Sequence, residues 1–465
     1  MDEKYEIESL VKRYNKTIKS NKSVYFDVDE FVSIINYYID NGNVGEAQKV
    51  LHKAFEIYPN HIELRFKKAE ILFEFENFTK SLEVLQEIEN IYEEEEEIHI
   101  LKGEIHFYRE EYPLAILEYE KALDITEDPS LILSRIIEAC QMMNDHESAI
   151  AYVKKLVEYC PDDSSVCNEI SESFTLAGKS MEGIEFLKSF IQTHPFSATA
   201  WYHLGNSLLY EDKYKEAIDA FDYALALDDT QIVAYLDKAL AYELMGKYQE
   251  AIETYRQAID LDISIAYNHY SIGNCYEKAK MEEEALKAYQ TAVKQDPFYA
   301  EAWFSMAMIF HKNDQLEEAK SYVSKAISIN DWDDEYYFAL GGILYDMEKY
   351  DEAIEEYKKA VEINPLHDEL WLDYSECYFA KDEIEKAIEI IELGITEQEK
   401  NYAFKYRRVN YLITAGKLKE ALEYLESLLI ENPEKSIELF KFDEDICKME
   451  GVVNLINTYQ KKNIN

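Results

Sequence analysis

Positive charge is scarce in this chain. Against 94 aspartates and glutamates stand 48 lysines and arginines, a formal net charge of −46. Neutralising nucleic-acid phosphates needs clustered bases, so nucleic acid is not an expected partner. Glycine and proline are also few, 13 and 8 in 465 residues, which leaves little material for long disordered linkers. The six cysteines (Cys140, Cys160, Cys167, Cys275, Cys377 and Cys447) form no C-x-x-C pair and no regular framework. They read as reduced thiols, and the cytoplasm is the expected compartment. No run approaches the roughly 20 apolar residues of a membrane helix, so no membrane insertion is expected. The first residues, Met-Asp-Glu-Lys-Tyr-Glu-Ile-Glu, lack the apolar core of a signal peptide.

What the chain has in quantity is a period. Steps of 34 residues from Ala47 meet Ser81, Ala115, Ala149, Gly183, Ala217, Ala251, Ala285, Ala319, Ala353, Ala387 and Ala421, all small, with no insertion. With Ala198 as position 1 of a 34-residue frame, that lattice is position 20. Position 27 repeats the theme with Ala54, Ala122, Ala224, Ala258, Ala292, Ala326 and Ala360. Large partners fall at position 4 (Trp201, Tyr235, Trp303, Tyr337, Trp371) and position 24 (Phe221, Tyr255, Tyr289, Tyr357). Small against large at fixed spacing is how packed layers interdigitate without voids. Pro59, Pro161, Pro195, Pro297, Pro365 and Pro433 all hold position 32, where a missing amide ends a helix. Gly42, Gly178, Gly246 and Gly416 hold position 15, as a turn that needs positive φ would favour.

This pattern resembles the helix–turn–helix consensus of the tetratricopeptide repeat. The resemblance implies an all-α fold: a right-handed α-α superhelix, or solenoid, of antiparallel helix pairs. About twelve units are expected over residues 28–435, starting at Val28, Ile62, Glu96, Ser130, Ser164, Ala198, Ile232, Ala266, Ala300, Asp334, Asp368 and Tyr402. Residues 1–27 predict a capping helix through Tyr5, Leu10, Val11, Tyr14 and Ile18, with a short link at Asn21-Lys22-Ser23. Residues 436–465 predict one or two C-terminal capping helices through Ile437, Leu439, Phe440, Ile446, Val452, Val453 and Ile456, since end units need a polar outer face. Unit 12 is irregular, with Lys405 and Arg408 where large apolar groups usually sit.

The resemblance also implies a scaffold that binds a protein or peptide segment in its concave groove, lined by positions 2, 5, 9 and 12 of the first helices. The candidate contact residues there are Tyr202, Asn206, Tyr270, Asn274, Phe304, Phe338, Tyr406 and Asn410. Rigid aromatics make efficient anchors, and asparagine can both donate to and accept from a peptide backbone. The same rings could instead pack between neighbouring first helices and never meet a ligand. The family's carboxylate clamp, which needs lysines at position 5 alongside asparagines, is absent: Asn206 and Asn274 match only its asparagine, and the lysines are missing. Its asparagine ladder at position 6 is also absent, where His203, Asp237, Ser271, Ser305, Ala339 and Asp373 stand. A structural or regulatory subunit that binds through an acidic outer surface is the alternative, and a basic partner suits the charge.

No catalytic chemistry is legible, and no enzyme, cofactor or metal is expected. Leu176-Ala-Gly-Lys-Ser180 lacks the first glycine of a phosphate loop, because Ser173 holds that place. His99 and His106 could share a helix face, but no third histidine or cysteine ligand lies near them in sequence. The pairs Glu283-Glu284 and Glu317-Glu318, and the run Glu93 to Glu97, read as solvated helix starts beside the positive end of the helix dipole.

Overall fold

The computed structural model describes residues 2–20, 25–91, 95–159, 166–261, 265–367, 369–441 and 446–462. The expected link at Asn21-Lys22-Ser23, Cys160, Pro161, Asn463 and the unit starts at Ser164 and Asp368 lie outside them. Among the described residues every regular element is a helix. The chain falls into two compact units, Met1–Ala241 and Tyr242–Asn465.

The first unit opens with helix Asp2–Ser20 and continues as antiparallel pairs, the first being Val28–Asp40 with Val44–Ile57 and the last Ala198–Tyr210 with Tyr214–Leu227. The division at Ala241 falls within helix Ile232–Leu244, and Tyr248–Asp260 is the first helix wholly in the second unit. In the second unit the pairs run from Ile265–Lys278 with Glu282–Gln295 to Tyr402–Thr414 with Leu418–Glu431. Nine of the twelve expected unit starts coincide with the first residue of a helix. At the eighth unit the helix begins one residue early, at Ile265.

The turn within each pair explains the register. Gly42, Gly178, Gly246 and Gly416 have φ between +67° and +74°. In the other units the same frame position has positive φ without glycine, at Glu76, Glu110, Asn144, Asp212, Lys280, Asp314, Glu348 and Asp382. Each pair thus reverses through one left-handed residue, whatever side chain is there. Non-glycine residues tolerate that conformation at a cost of roughly 1–2 kcal/mol.

Packing inside a pair sets the small and large positions. A Cβ on Gly103, Gly205, Gly273 or Gly341 would meet the ring of Tyr119, Phe221, Tyr289 or Tyr357 at 2.4–2.6 Å. The position 24 ring therefore presses one edge against the first helix, and only a residue without a side chain leaves room. Ser81 departs from alanine without cost, because its buried hydroxyl donates to the Ala69 carbonyl at 2.7 Å. The tryptophans of position 4 tie each unit to the turn before it. Trp201 Nε1 donates to the Pro195 carbonyl at 3.0 Å, Trp303 to Pro297 at 3.0 Å and Trp371 to Pro365 at 2.9 Å.

The ends are covered by chain from outside the pairs. At the N-terminus Val11 and Tyr14 are buried, and the Tyr14 ring packs edge-on to Phe26 and Phe31 at 5.5 and 6.2 Å. Ile18 is exposed. The C-terminal cover is not purely α-helical: the 3₁₀ segments Pro433–Lys441 and Ile446–Lys448 precede helix Glu450–Lys462. Leu439, Ile446, Val452 and Ile456 are buried in it, whereas Ile437 is exposed. Lys405 and Arg408 of the last pair are accommodated by partners. Lys405 bonds Glu431 at 3.3 Å over the Tyr402 ring, and Arg408 bonds Glu392 at 2.6 Å over the Tyr424 ring.

Candidate functional site

The first helices position the candidate row. Within the Met1–Ala241 unit, Tyr202 and Asn206 stand one turn apart on helix Ala198–Tyr210, both half-buried. The Tyr202 hydroxyl donates to Asp237 Oδ2 at 2.9 Å, and Asn206 Nδ2 reaches the same oxygen at 3.5 Å. Burial and the Asp237 carboxylate raise the Tyr202 pKa to about 12, so the hydroxyl stays a donor. Burial also raises the Asp237 carboxyl, an effect opposed by those two donors. Beside them His203 is driven down to about 4 by burial and is neutral near pH 7.

Within the Tyr242–Asn465 unit, Tyr270, Asn274, Phe304 and Phe338 are all half-buried. The Tyr270 ring lies 5.2 Å from Tyr299 and 5.7 Å from Tyr289. Phe304 sits 4.8 Å from Tyr336, and Phe338 sits 4.5 Å from His367. Each ring thus packs on one or more neighbouring rings and keeps part of its surface open. The Asn274 carbonyl oxygen accepts from the Tyr289 hydroxyl at 2.7 Å, while its amide nitrogen is a separate donor.

Tyr406 and Asn410 require a correction. Tyr406 is 0% exposed and Asn410 is also buried, so neither presents a surface to a partner. Helix Tyr402–Thr414 packs against the segment Pro433–Lys441, whose Leu439 is buried in the same core. The repeat frame placed these two residues on the inner face, and the terminal cover closes that face.

The histidine pair of the third repeat also separates. His106 Nδ1 pairs with Glu111 at 2.7 Å. His99 is buried, with Nδ1 2.8 Å from Glu118 Oε2 and Nε2 3.9 Å from Glu89 Oε1. Sequence distance hid this trio, because Glu89, His99 and Glu118 come from three helices. The two carboxylates also accept from Lys102 at 2.6 Å and Lys121 at 2.7 Å. Burial alone would raise both carboxyl pKa values, but the lysine and histidine partners outweigh it and hold them below the usual range. A divalent cation would have to share each carboxylate with an ammonium, so the cluster fits a closed charge network better than a metal centre.

The tempting glycine–lysine stretch is a turn. Gly178 has φ +67°, Lys179 pairs with Glu147, and Ser180 starts the next helix with its side chain buried.

Models described as tetratricopeptide repeat match residues 38–105 and 344–403, residues 196–264, residues 288–321 and residues 267–298. No curated protein matches the sequence. Among solved structures, the APC/C hetero-tetramer Cut9–Hcn1 aligns over 80% of this chain and 88% of its own, at 14% identity and a TM-score of 0.37. YrrB, described as a TPR protein with an unusual peptide-binding site, aligns over 42% and 97%, at 23% identity and 0.33. The C-terminal part of a TPR repeat-containing protein from Cytophaga hutchinsonii aligns over 55% and 98%, at 19% identity and 0.41. Among the described residues no helix is long and apolar enough to cross a membrane. The repeat is a non-catalytic scaffold for protein interaction. With helix pairs in a 34-residue register and family models matching in both units, the chain belongs to the tetratricopeptide repeat family.

Proposed function

We propose that the chain holds a peptide or protein segment against the inner faces of its first helices. Tyr202 and Asn206 would make the contact in one unit, and Tyr270, Asn274, Phe304 and Phe338 in the other. The observation that carries this reading is the half-open state of every position 5 ring named here, each steadied by a neighbour. A ring held on one side loses little freedom when a ligand covers the other, which is the property of an efficient anchor. The cytoplasm is the compartment we propose, because Cys140, Cys167, Cys275 and Cys377 are free and buried; burial raises the Cys140 thiol to about 11 and the Cys275 and Cys377 thiols to about 12, which keeps them inert.

The test is affinity capture from native lysate with the wild type beside a Tyr202→Ala, Tyr270→Ala, Phe304→Ala, Phe338→Ala variant of unchanged helicity. A partner retained by the wild type alone supports the reading. Equal retention by both sinks it, and favours binding through the acidic outer surface, for which the net charge of −46 is the motivating fact. That second mode would weaken steeply with salt, because exposed charges are screened.

A further inference from the structure

A second surface of different chemistry lies in the Tyr242–Asn465 unit, at the turns that join one helix pair to the next. Phe298 is 77% exposed, Trp332 81% and Leu366 63%. All three hold the same place in the 34-residue frame, in three successive repeats, and Lys400 ends the row. Scattered apolar residues on a surface need no explanation, but a row in register does. Equivalent positions of stacked repeats align along one edge.

The turns are built alike and hold these side chains outward. The backbone amide of Phe298 donates to Asp296 Oδ1 at 2.9 Å, that of Trp332 to Asn330 at 3.2 Å and that of Leu366 to Asn364 at 3.1 Å. The turn segments that carry the row are acidic. Residues 296–301, 331–335 and 362–369 contain no lysine or arginine, while Glu301, Asp331, Glu335 and Glu369 are exposed beside the apolar tips. Burial and the charges of Asp334, Glu335 and Glu301 raise the Asp333 carboxyl, as a concentration of negative potential would. At the Leu366 end the surface opens into a cavity of about 1000 Å³ whose charged lining is Glu369, Glu397, Glu399 and Glu438 against Lys400 and Lys435, an acidic excess of two.

We propose that this edge docks a lysine- and arginine-rich amphipathic segment of a partner protein, with its apolar side chains on Phe298, Trp332 and Leu366. Charge complementarity selects the occupant. An acidic or uncharged segment would gain the apolar contacts but meet uncompensated carboxylates, whereas a basic one gains both. Rigid rings surrounded by charge are also the usual makeup of a contact centre with its polar rim. The three side chains of the edge differ from those of the inner-face row, although Tyr299 and His367 beside them pack on Tyr270 and Phe338, so the two proposals are told apart by variants of each row.

The experiment titrates the full chain with three labelled 18-residue peptides and reads fluorescence anisotropy. One peptide carries leucine on one helical face and lysine elsewhere. The second replaces lysine by glutamate, and the third replaces leucine by serine. The first is expected to bind at least tenfold tighter than the other two. A Phe298→Ser, Trp332→Ser, Leu366→Ser variant should lose at least tenfold in affinity for it, with unchanged melting temperature. A Tyr270→Ala, Phe304→Ala variant should bind like the wild type. On binding, the tryptophan emission should shift to the blue in the wild type but not in Trp332→Phe. Equal binding of all three peptides would show only polyanion or greasy adhesion, and overturns the proposal. So does wild-type affinity in the triple edge variant, or loss of binding confined to the inner-face variant.

Discussion

A Cβ placed on Gly341 would lie 2.6 Å from the ring of Tyr357, which is itself buried and cannot retreat. Gly341→Ala should therefore destabilise by about 1–3 kcal/mol in urea melts, although alanine is the better helix former. A gain in stability would mean that the ring has room to move. Glu348 makes the opposite case. It holds φ at +61° with a side chain in a conformation that glycine adopts freely. Glu348→Gly should raise stability by up to about 1 kcal/mol, once the extra entropy of the unfolded glycine is set against the relieved strain. Unchanged or lower stability in the same melts would contradict this. Such positions were legible where glycine marks them, as at Gly246 and Gly416. They were silent where Glu348 or Asp314 does the same work, because nothing in a charged side chain announces a positive φ.

At the scale of the helix, the pattern of small and large residues located nearly every element, since position 20 must be small wherever two helices touch. What it could not show is how helices from different repeats share polar groups. Asp373, on the inner helix Leu370–Ala380, is such a group: burial and the nearby Glu369 push its pKa up to about 6, against the pull of Arg407. An ordinary aspartate titrates near ~3.9. Between those values the folded chain keeps a proton that the unfolded chain has lost. The stability that this group contributes is present below pH ~4 and is lost as pH rises through about 6. Asp373→Asn should thus gain on the wild type as pH rises, by on the order of 1–2 kcal/mol at pH 7.5 after discounting for solvent screening. Urea melts at pH 4.5 and 7.5 measure it, and an offset that is the same at both pH values would refute it. Tyr406 and Asn410 show the second limit. The frame gave them the same positions as the half-buried candidates, but they are buried, and the 3₁₀ segment packed on their helix has short turns that carry no helical period.

For the whole molecule, stability in a repeat array is a sum of units and their nearest-neighbour contacts. Ala285 is fully buried between helices Ile265–Lys278 and Glu282–Gln295. Ala285→Leu should remove amide-exchange protection from those two helices and their immediate neighbours, and leave Tyr402–Thr414 protected. Protection lost to the same degree along the whole chain would contradict local coupling. The cluster of Glu89, His99 and Glu118, and the turn row of Phe298, Trp332 and Leu366, belong to this scale as well. Each depends on which repeats stack on which, and a sequence shows that only after its register is known.

The left-handed residue in the turn of each pair has one more consequence. Because the joint recurs every 34 residues with the same backbone angle, the ends exposed by cutting at any two joints have matching conformations. A length of chain excised from Lys280 through Asn313 would bring the turn residue Asp314 directly behind Ala279, with the next helix in phase. The protein is in this sense a string of interchangeable segments. Removing one whole unit should therefore keep the remaining joints, whereas a deletion of any other size should disturb the packing at its own junction.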